Sequence, residues 1–332
     1  MYEMKSPFFM KSFLFLSMIF FSMFLGLSTN SMLGIWMSME VNMILIVPYM
    51  LKNEMKNIEK SMMIYFLVQS VSSMIAIYFI LVSINNQSYN LNNFVSFLVI
   101  TSMFSKMGIF PFHMWLTSIM ENLSWEMCLI MSTIQKVLPI IFVVLMVKEE
   151  MFILFAILNS LFASISGMSA FSLRKIMTFS SMNHLSFMLF CIIISKKLLK
   201  IYFLIYTFMT FVLMIFFKKS NVSYLFQMFM KLKTIFSSAK LMMVMFSMMG
   251  MPPFLGFYPK ILIFMKMLQN GMVIPCIIMI FSSVMSSYFY MRLILSNLII
   301  SSVSSKLKMQ SCKEKNTSIF LVFLFVPLMF FM

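Results

Sequence analysis

Six ionisable residues stand inside stretches that are otherwise apolar: Glu40, Lys106, Lys136 and Lys260, with His113 and His184. An ionised Lys or Glu near the centre of a bilayer costs roughly 2.5 to 3.5 kcal/mol on insertion scales, so four of them cost on the order of 10 kcal/mol. Stability gives no reason to keep them. Groups of this kind face the interior of a helix bundle, paired or hydrated, and mark an ion or proton route. Lysine suits such a route, because desolvation disfavours its charged form while a neighbouring carboxylate favours it. Glu40 beside Lys106 would hold that lysine charged, and separating the two would send its proton towards Lys136 and onward to Lys260. His184 suits a relay because histidine titrates near neutrality; for both His113 and His184 a packing role is as well founded. Lys240, Lys266, Glu121, Glu126 and Arg292 lie near the ends of apolar blocks, where long side chains reach the interface.

The elements that must hold these groups are set by composition. Of 332 residues, 62% are hydrophobic and 10% charged, against roughly 45 to 50% and 25% in soluble domains. A soluble fold is excluded. Apolar blocks of about 20 residues match the span of a hydrocarbon core, and they are apolar on every face, unlike the alternating strands of a barrel. The chain is therefore expected to be all-α, a polytopic bundle in lipid and one membrane domain over residues 1–332. The first block is too long for a signal peptide and no small-residue cleavage site follows it. A net charge of +16 would suggest nucleic acid in a soluble protein, but here the bases lie in short connections, so no nucleic-acid partner is expected. Cys128, Cys191, Cys276 and Cys312 form no C-x-x-C pair. With two histidines and no Asp, a metal cluster is hard to assemble, and the seven glycines fit neither G-x-G-x-x-G nor a P-loop. No redox cofactor or metal is expected in the chain itself. The 45 Met and 41 Phe hint at a mitochondrial genome.

Polar punctuation divides the chain into about 11 spans. The first five cover 8–28, 31–51, 61–84, 94–115 and 126–147; the others cover 151–172, 179–195, 198–217, 236–268, 272–298 and 318–332. Alternate connections hold fourteen Lys and Arg on one side, beginning with Lys5, and four on the other: Lys148, Lys196, Lys197 and Lys200. By the positive-inside rule the N-terminus faces the inside. The fourth and ninth spans are broken by glycine and proline, at Gly108 and Pro111 and at Gly250, Pro252, Pro253 and Gly256. Broken backbone at membrane depth survives only when packed in protein or lining a cavity. If 8–147 and 151–298 are two five-helix repeats followed by a C-terminal helix at 318–332, the breaks occupy matching places, as in inverted-repeat transporters.

The stretch from Lys106 to Trp115, KMGIFPFHMW, is similar to K-x-G-x-x-P-F-H-x-W; Glu121-Asn-Leu-Ser-Trp125 to E-G-L-x-W; and Gln135-Lys136-Val-Leu-Pro139 to Q-K-x-x-P. Ser180-Ser-Met-Asn-His184 is similar to S-S-x-x-H, and the stretch from Met251 to Lys260, MPPFLGFYPK, to L-P-P-x-x-G-F-x-P-K. These motifs, in this order, resemble the antiporter-like subunits of respiratory complex I. The resemblance implies that Glu40, Lys106, Lys136 and Lys260 form a line of proton-carrying groups along the membrane midplane. Glu40 rests on helix position and its Glu-Val-Asn42 context. Thr117-Ser118, Ile134, Ser186-Phe187, Met249 and Ile261 depart from the pattern without removing a carrier. The resemblance also implies a chain three helices shorter at its N-terminus than bacterial members.

By this resemblance the chain is a core membrane subunit that moves protons while partner subunits oxidise NADH and reduce ubiquinone. NADH, FMN, iron-sulfur clusters and ubiquinone are then expected in those partners, which are the other membrane and peripheral-arm subunits, with lipid around the chain. The implied place is the mitochondrial inner membrane, N-terminus in the matrix. Two other readings remain: a cation/proton antiporter subunit, which would carry similar lysines, and a structural membrane scaffold. The mitochondrial signature and the lack of Asp favour the first reading over the antiporter, and the four buried charges argue against the scaffold.

Overall fold

The structure, a computed structural model, describes residues 5–51, 57–85, 89–146, 149–227 and 235–305. The expected C-terminal helix at 318–332 lies outside them, as do several basic connections, Lys52, Lys56, Lys148, Lys231 and Lys233 among them. The described residues form thirteen helices and no strand. Seven helical stretches are long and apolar enough to cross a membrane, running from Met32–Met50 to Val273–Leu295. Shorter apolar helices are Leu14–Ser28, Phe94–Met107 and Lys240–Met249. The chain is thus all-helical and multi-pass.

Serine, frequent in these helices, is tolerated because its hydroxyl bonds the carbonyl three residues back. Ser38 donates to Ile35 O at 2.6 Å, Ser102 to Val99 O at 2.6 Å and Ser247 to Val244 O at 2.6 Å. A polar group so satisfied within its own helix leaves nothing for lipid to solvate.

Two compact units divide the chain, Met1–Met151 and Phe152–Met332. The first contains α1 (Lys5–Ser28), α2 (Met32–Met50), α3 (Ile58–Asn85), α4 (Tyr89–Met107), α5 (Met114–Asn122), α6 (Trp125–Ser132) and α7 (Ile134–Leu145). Here α7 packs on α1, α2, α4 and α6, and α3 on α2, α4 and α5. The second unit contains α8 (Glu149–Ser169, whose first residues precede the division), α9 (Leu173–Ile194), α10 (Lys196–Ser220), α11 (Ile235–Met249), α12 (Phe257–Gln269) and α13 (Val273–Ser305). Its centre is α9, buried along most of its length and packed on α10, α12 and α13.

The fourth and ninth expected spans are discontinuous, and their first halves end in the same turn. At the end of α4, Gly108 takes φ +72°, Gly108 N–H donates to Ser105 O at 3.3 Å and Ile109 N–H to Phe104 O at 3.0 Å. At the end of α11, Gly250 takes φ +81°, Gly250 N–H donates to Ser247 O at 3.1 Å and Met251 N–H to Phe246 O at 3.2 Å. This is the Schellman closure, which needs a left-handed residue that glycine supplies without a Cβ clash.

Several spans differ from the sequence reading; the tenth, read as ending at 298, runs on to Ser305. The fifth, expected over 126–147, is one membrane-length stretch, Trp125–Leu145, interrupted at Thr133, whose Oγ1 and N–H both donate to Leu129 O, at 2.7 and 3.0 Å. The seventh starts at Leu173 and not at 179, with Ser172 extended just before it and Arg174 and Lys175 taken into its first turn. The end of α8 is closed by a side chain the sequence placed at an interface: Arg292 of α13 donates to Met168 O at 2.8 Å and to Ala170 O, with its guanidinium 5.5 Å from the Phe171 ring centroid.

Candidate functional site

In the first unit the break after α4 holds a lysine at its edge. Lys106 occupies the last turn of α4 and is 7% exposed. Its Nζ lies 3.5 Å from Glu40 Oε1, brought by α2, with the Glu40 side chain 21% exposed. The expected pair is therefore formed. The Lys106 carbonyl at the break is met by Gln69 Nε2 of α3 at 3.2 Å, and Ser105 O, already bonded to the Gly108 N–H, accepts a second bond from Trp115 Nε1 of α5 at 3.0 Å. An unpaired carbonyl here would cost several kcal/mol, so the Gln69 amide helps make the break tenable.

Lys136 is 2% exposed and sits in the first turn of α7, just past the Thr133 interruption. The helix that carries it packs on both α2 and α4, the helices that carry Glu40 and Lys106. Its neighbour Gln135 joins three elements: Tyr65 Oη of α3 donates to Gln135 Oε1 at 3.3 Å, and Gln135 Nε2 donates to Asn42 Oδ1 of α2 at 3.2 Å. Tyr65 also packs its ring 6.3 Å from that of Trp115. His113 immediately precedes α5, with Nδ1 3.2 Å from Pro111 O and its ring stacked 5.7 Å from Phe110.

In the second unit the break between α11 and α12 folds back on itself. A Cβ added at Gly256 would lie 1.9 Å from Ser247 O, so the backbone there comes as close as glycine permits. Lys260, in the first turn of α12 and 7% exposed, donates from Nζ to Met249 O at 2.8 Å and lies 5.7 Å from the Phe187 ring centroid. Lys106 precedes its glycine while Lys260 follows its own by ten residues. Each lysine therefore meets the break from a different side of the turn.

His184 and Phe187 lie three residues apart on one face of α9. His184 Nδ1 is 2.8 Å from Tyr202 Oη of α10, and its ring is 5.0 Å from that of Tyr206. The Tyr202 ring stacks on Phe187 at 6.0 Å. His184, Tyr202, Tyr206, Ser247, Gly256 and Pro259 are among the residues around a small cavity beside the break. Among the described residues no cluster of three or more His, Cys or Glu could hold a metal.

Glu40, Lys106 and Lys136 thus belong to the first unit, and His184 and Lys260 to the second. The sequence reading did not single out Gln69, Tyr65 or Tyr202. Gln69 is a lone amide in the apolar span Ile58–Ile84, and the depth argument applied to charges would have found it. Tyr202 and Tyr206 recur at helical spacing, which also describes ordinary packing.

Helices of membrane length, with lysines buried where two of them break, define an ion-handling transmembrane bundle. The chain belongs to the family described as NADH:quinone oxidoreductase/Mrp antiporter, TM, whose model matches residues 28–286. Within that family it is similar to NADH-ubiquinone oxidoreductase chain 2 of Anopheles gambiae, 32% identical over 95% of this chain and 94% of that one. The chain of that name from Artemia franciscana is 33% identical over 88% and 92%. A chain in a structure of respiratory complex I from Thermus thermophilus shares the fold, with a TM-score of 0.78 at 18% identity over 89% of this chain and 76% of that one.

Proposed function

We propose that this chain is the proton-translocating chain 2 type of membrane subunit in a mitochondrial NADH:ubiquinone oxidoreductase. Partner subunits carry NADH oxidation, ubiquinone reduction and the cofactors for both. The observation that carries the reading is the Glu40–Lys106 pair, 3.5 Å apart at a helix break. A carboxylate on one helix and an ammonium on another form a contact that a small helix movement opens, and opening it changes how firmly the lysine holds its proton. In the first unit Glu40, Lys106 and Lys136 carry the proton; in the second, His184 and Lys260 do so.

The finer architecture, about 11 spans in two inverted five-helix repeats, is supported by the identical glycine turns that close α4 and α11. The chain sits in the inner membrane with its N-terminus in the matrix, a placement supported by the distribution of basic connections. The test is proton pumping per NADH oxidised by the assembled complex carrying Glu40→Gln. Reduced pumping in an intact complex is expected; unchanged pumping and turnover would remove the pair from the mechanism. The family also covers Mrp antiporters, so a second reading is cation/proton exchange. Sodium-dependent proton movement by the isolated chain would favour it.

A further inference from the structure

We infer that Tyr202 is the positioning residue of His184, holding that ring in one orientation through both of its protonation states. The inference rests on His184 being a proton carrier, as proposed above. The Tyr202 hydroxyl lies 2.8 Å from His184 Nδ1, and Tyr202 is 2% exposed. A phenol can both donate and accept. With a neutral imidazole, Tyr202 O–H donates to Nδ1 and the ring proton resides on Nε2. When the ring gains a proton it becomes Nδ1–H, which donates to the phenol oxygen, so the contact reverses without either ring moving. A serine hydroxyl could offer the same exchange, but the rest of the geometry favours an aromatic. The Tyr202 ring stacks on Phe187, and Phe187 lies beneath the Lys260 ammonium at 5.7 Å. Tyr202 therefore ties the histidine on α9 to the ring that supports the lysine on α12. Substitution by Phe would keep that stack and delete only the hydrogen bond.

The experiment is a double-mutant cycle in the assembled complex. Proton pumping per NADH oxidised is followed across pH for Tyr202→Phe, His184→Gln and the two together. Tyr202→Phe is expected to assemble, to oxidise NADH with an artificial acceptor at the normal rate, and to pump severalfold less with a displaced pH profile. The double variant is expected to be no worse than His184→Gln alone, because residues that act through one another are not additive. Additive losses, or a loss with an unmoved pH profile, overturn the inference. A silent His184→Gln removes the histidine from the route, whereas a deficient His184→Gln beside a silent Tyr202→Phe overturns only the role of Tyr202. If Tyr202→Phe does not assemble, cryo-EM maps of the native complex at acidic and alkaline pH decide. Hydrogen-bond distance at both supports the inference, and separation at either overturns it.

Discussion

Gln69 on α3 donates its amide to the main-chain carbonyl of Lys106, 3.2 Å away on α4. The bond fixes the peptide of a residue whose side chain meets Glu40, so one helix holds the backbone of the pair and another supplies its counter-charge. Gln69→Leu keeps the approximate volume and leaves that buried carbonyl unpaired, at a cost of about 1 to 3 kcal/mol. The expected outcome is a complex that dissociates at lower temperature, read by native gel after graded heating. An unchanged dissociation profile would show that another donor replaces the amide.

The Glu40–Lys106 contact predicts a compensating pair of variants. Glu40→Gln leaves an ammonium without its carboxylate, and Lys106→Met leaves a carboxylate without its ammonium. The double variant leaves neither, and assembly should suffer less from it than from the worse single change, because an uncompensated buried charge is the damaging species. Pumping should be impaired in all three. Assembled complex per unit of mitochondrial protein measures the first effect and proton-to-NADH stoichiometry the second.

Lys136→Met retains the apolar stem and removes the titrating group. Because Lys136 is 2% exposed and deep in the first unit, the complex should assemble normally while proton pumping per NADH falls. Electron transfer to ubiquinone should slow with it, since a blocked proton step opposes the redox reaction that drives it. Normal stoichiometry and turnover would transfer weight to the scaffold reading.

Much of this site was legible from depth alone. Glu40, Lys106, Lys136 and Lys260 were found because charge in an apolar span is costly wherever the helices lie, and the breaks at Gly108 and Gly250 because glycine and proline cannot both be accommodated in plain helix. What stayed hidden depends on neighbours. The split at Thr133 lies in its backbone, at φ −118° and ψ −72°, which threonine adopts only in some contexts. Arg292 read as an interfacial residue near a helix end, but its partners, Met168 and Ala170, are more than 120 residues away in sequence. No local pattern carries that information.

Two glycines separate steric from conformational demand. Gly256→Ala would place a Cβ 1.9 Å from the Ser247 carbonyl, so the break must open, at roughly 1 to 3 kcal/mol or more. At Gly271 nothing lies within 4 Å, and φ is +74°, so alanine there meets only the left-handed penalty of roughly 1 to 2 kcal/mol. Steady-state complex should fall further for Gly256→Ala, and its Lys260-dependent pumping should fall as well. Equal effects would mean that the close approach at Gly256 is easily relieved.

The glycine turns have an electrical consequence. A helix that stops inside the membrane exposes the negative end of its macrodipole, equivalent to about half an elementary charge, and both turns stop a helix at a lysine. Lys106 stands in the last turn of α4, and the Lys260 ammonium rests on the last carbonyl of α11. Among the described residues Lys260 has no carboxylate within ion-pair distance; its counter-charge is peptide oxygen. Such a counter-charge takes up no proton at any pH and cannot swing away as a carboxylate can. Under the proposed function Lys106 would be switched by moving Glu40, whereas Lys260 keeps its counter-charge as long as the turn holds. Two lysines of one type are thereby made different: one with a removable counter-charge, the other with a fixed one.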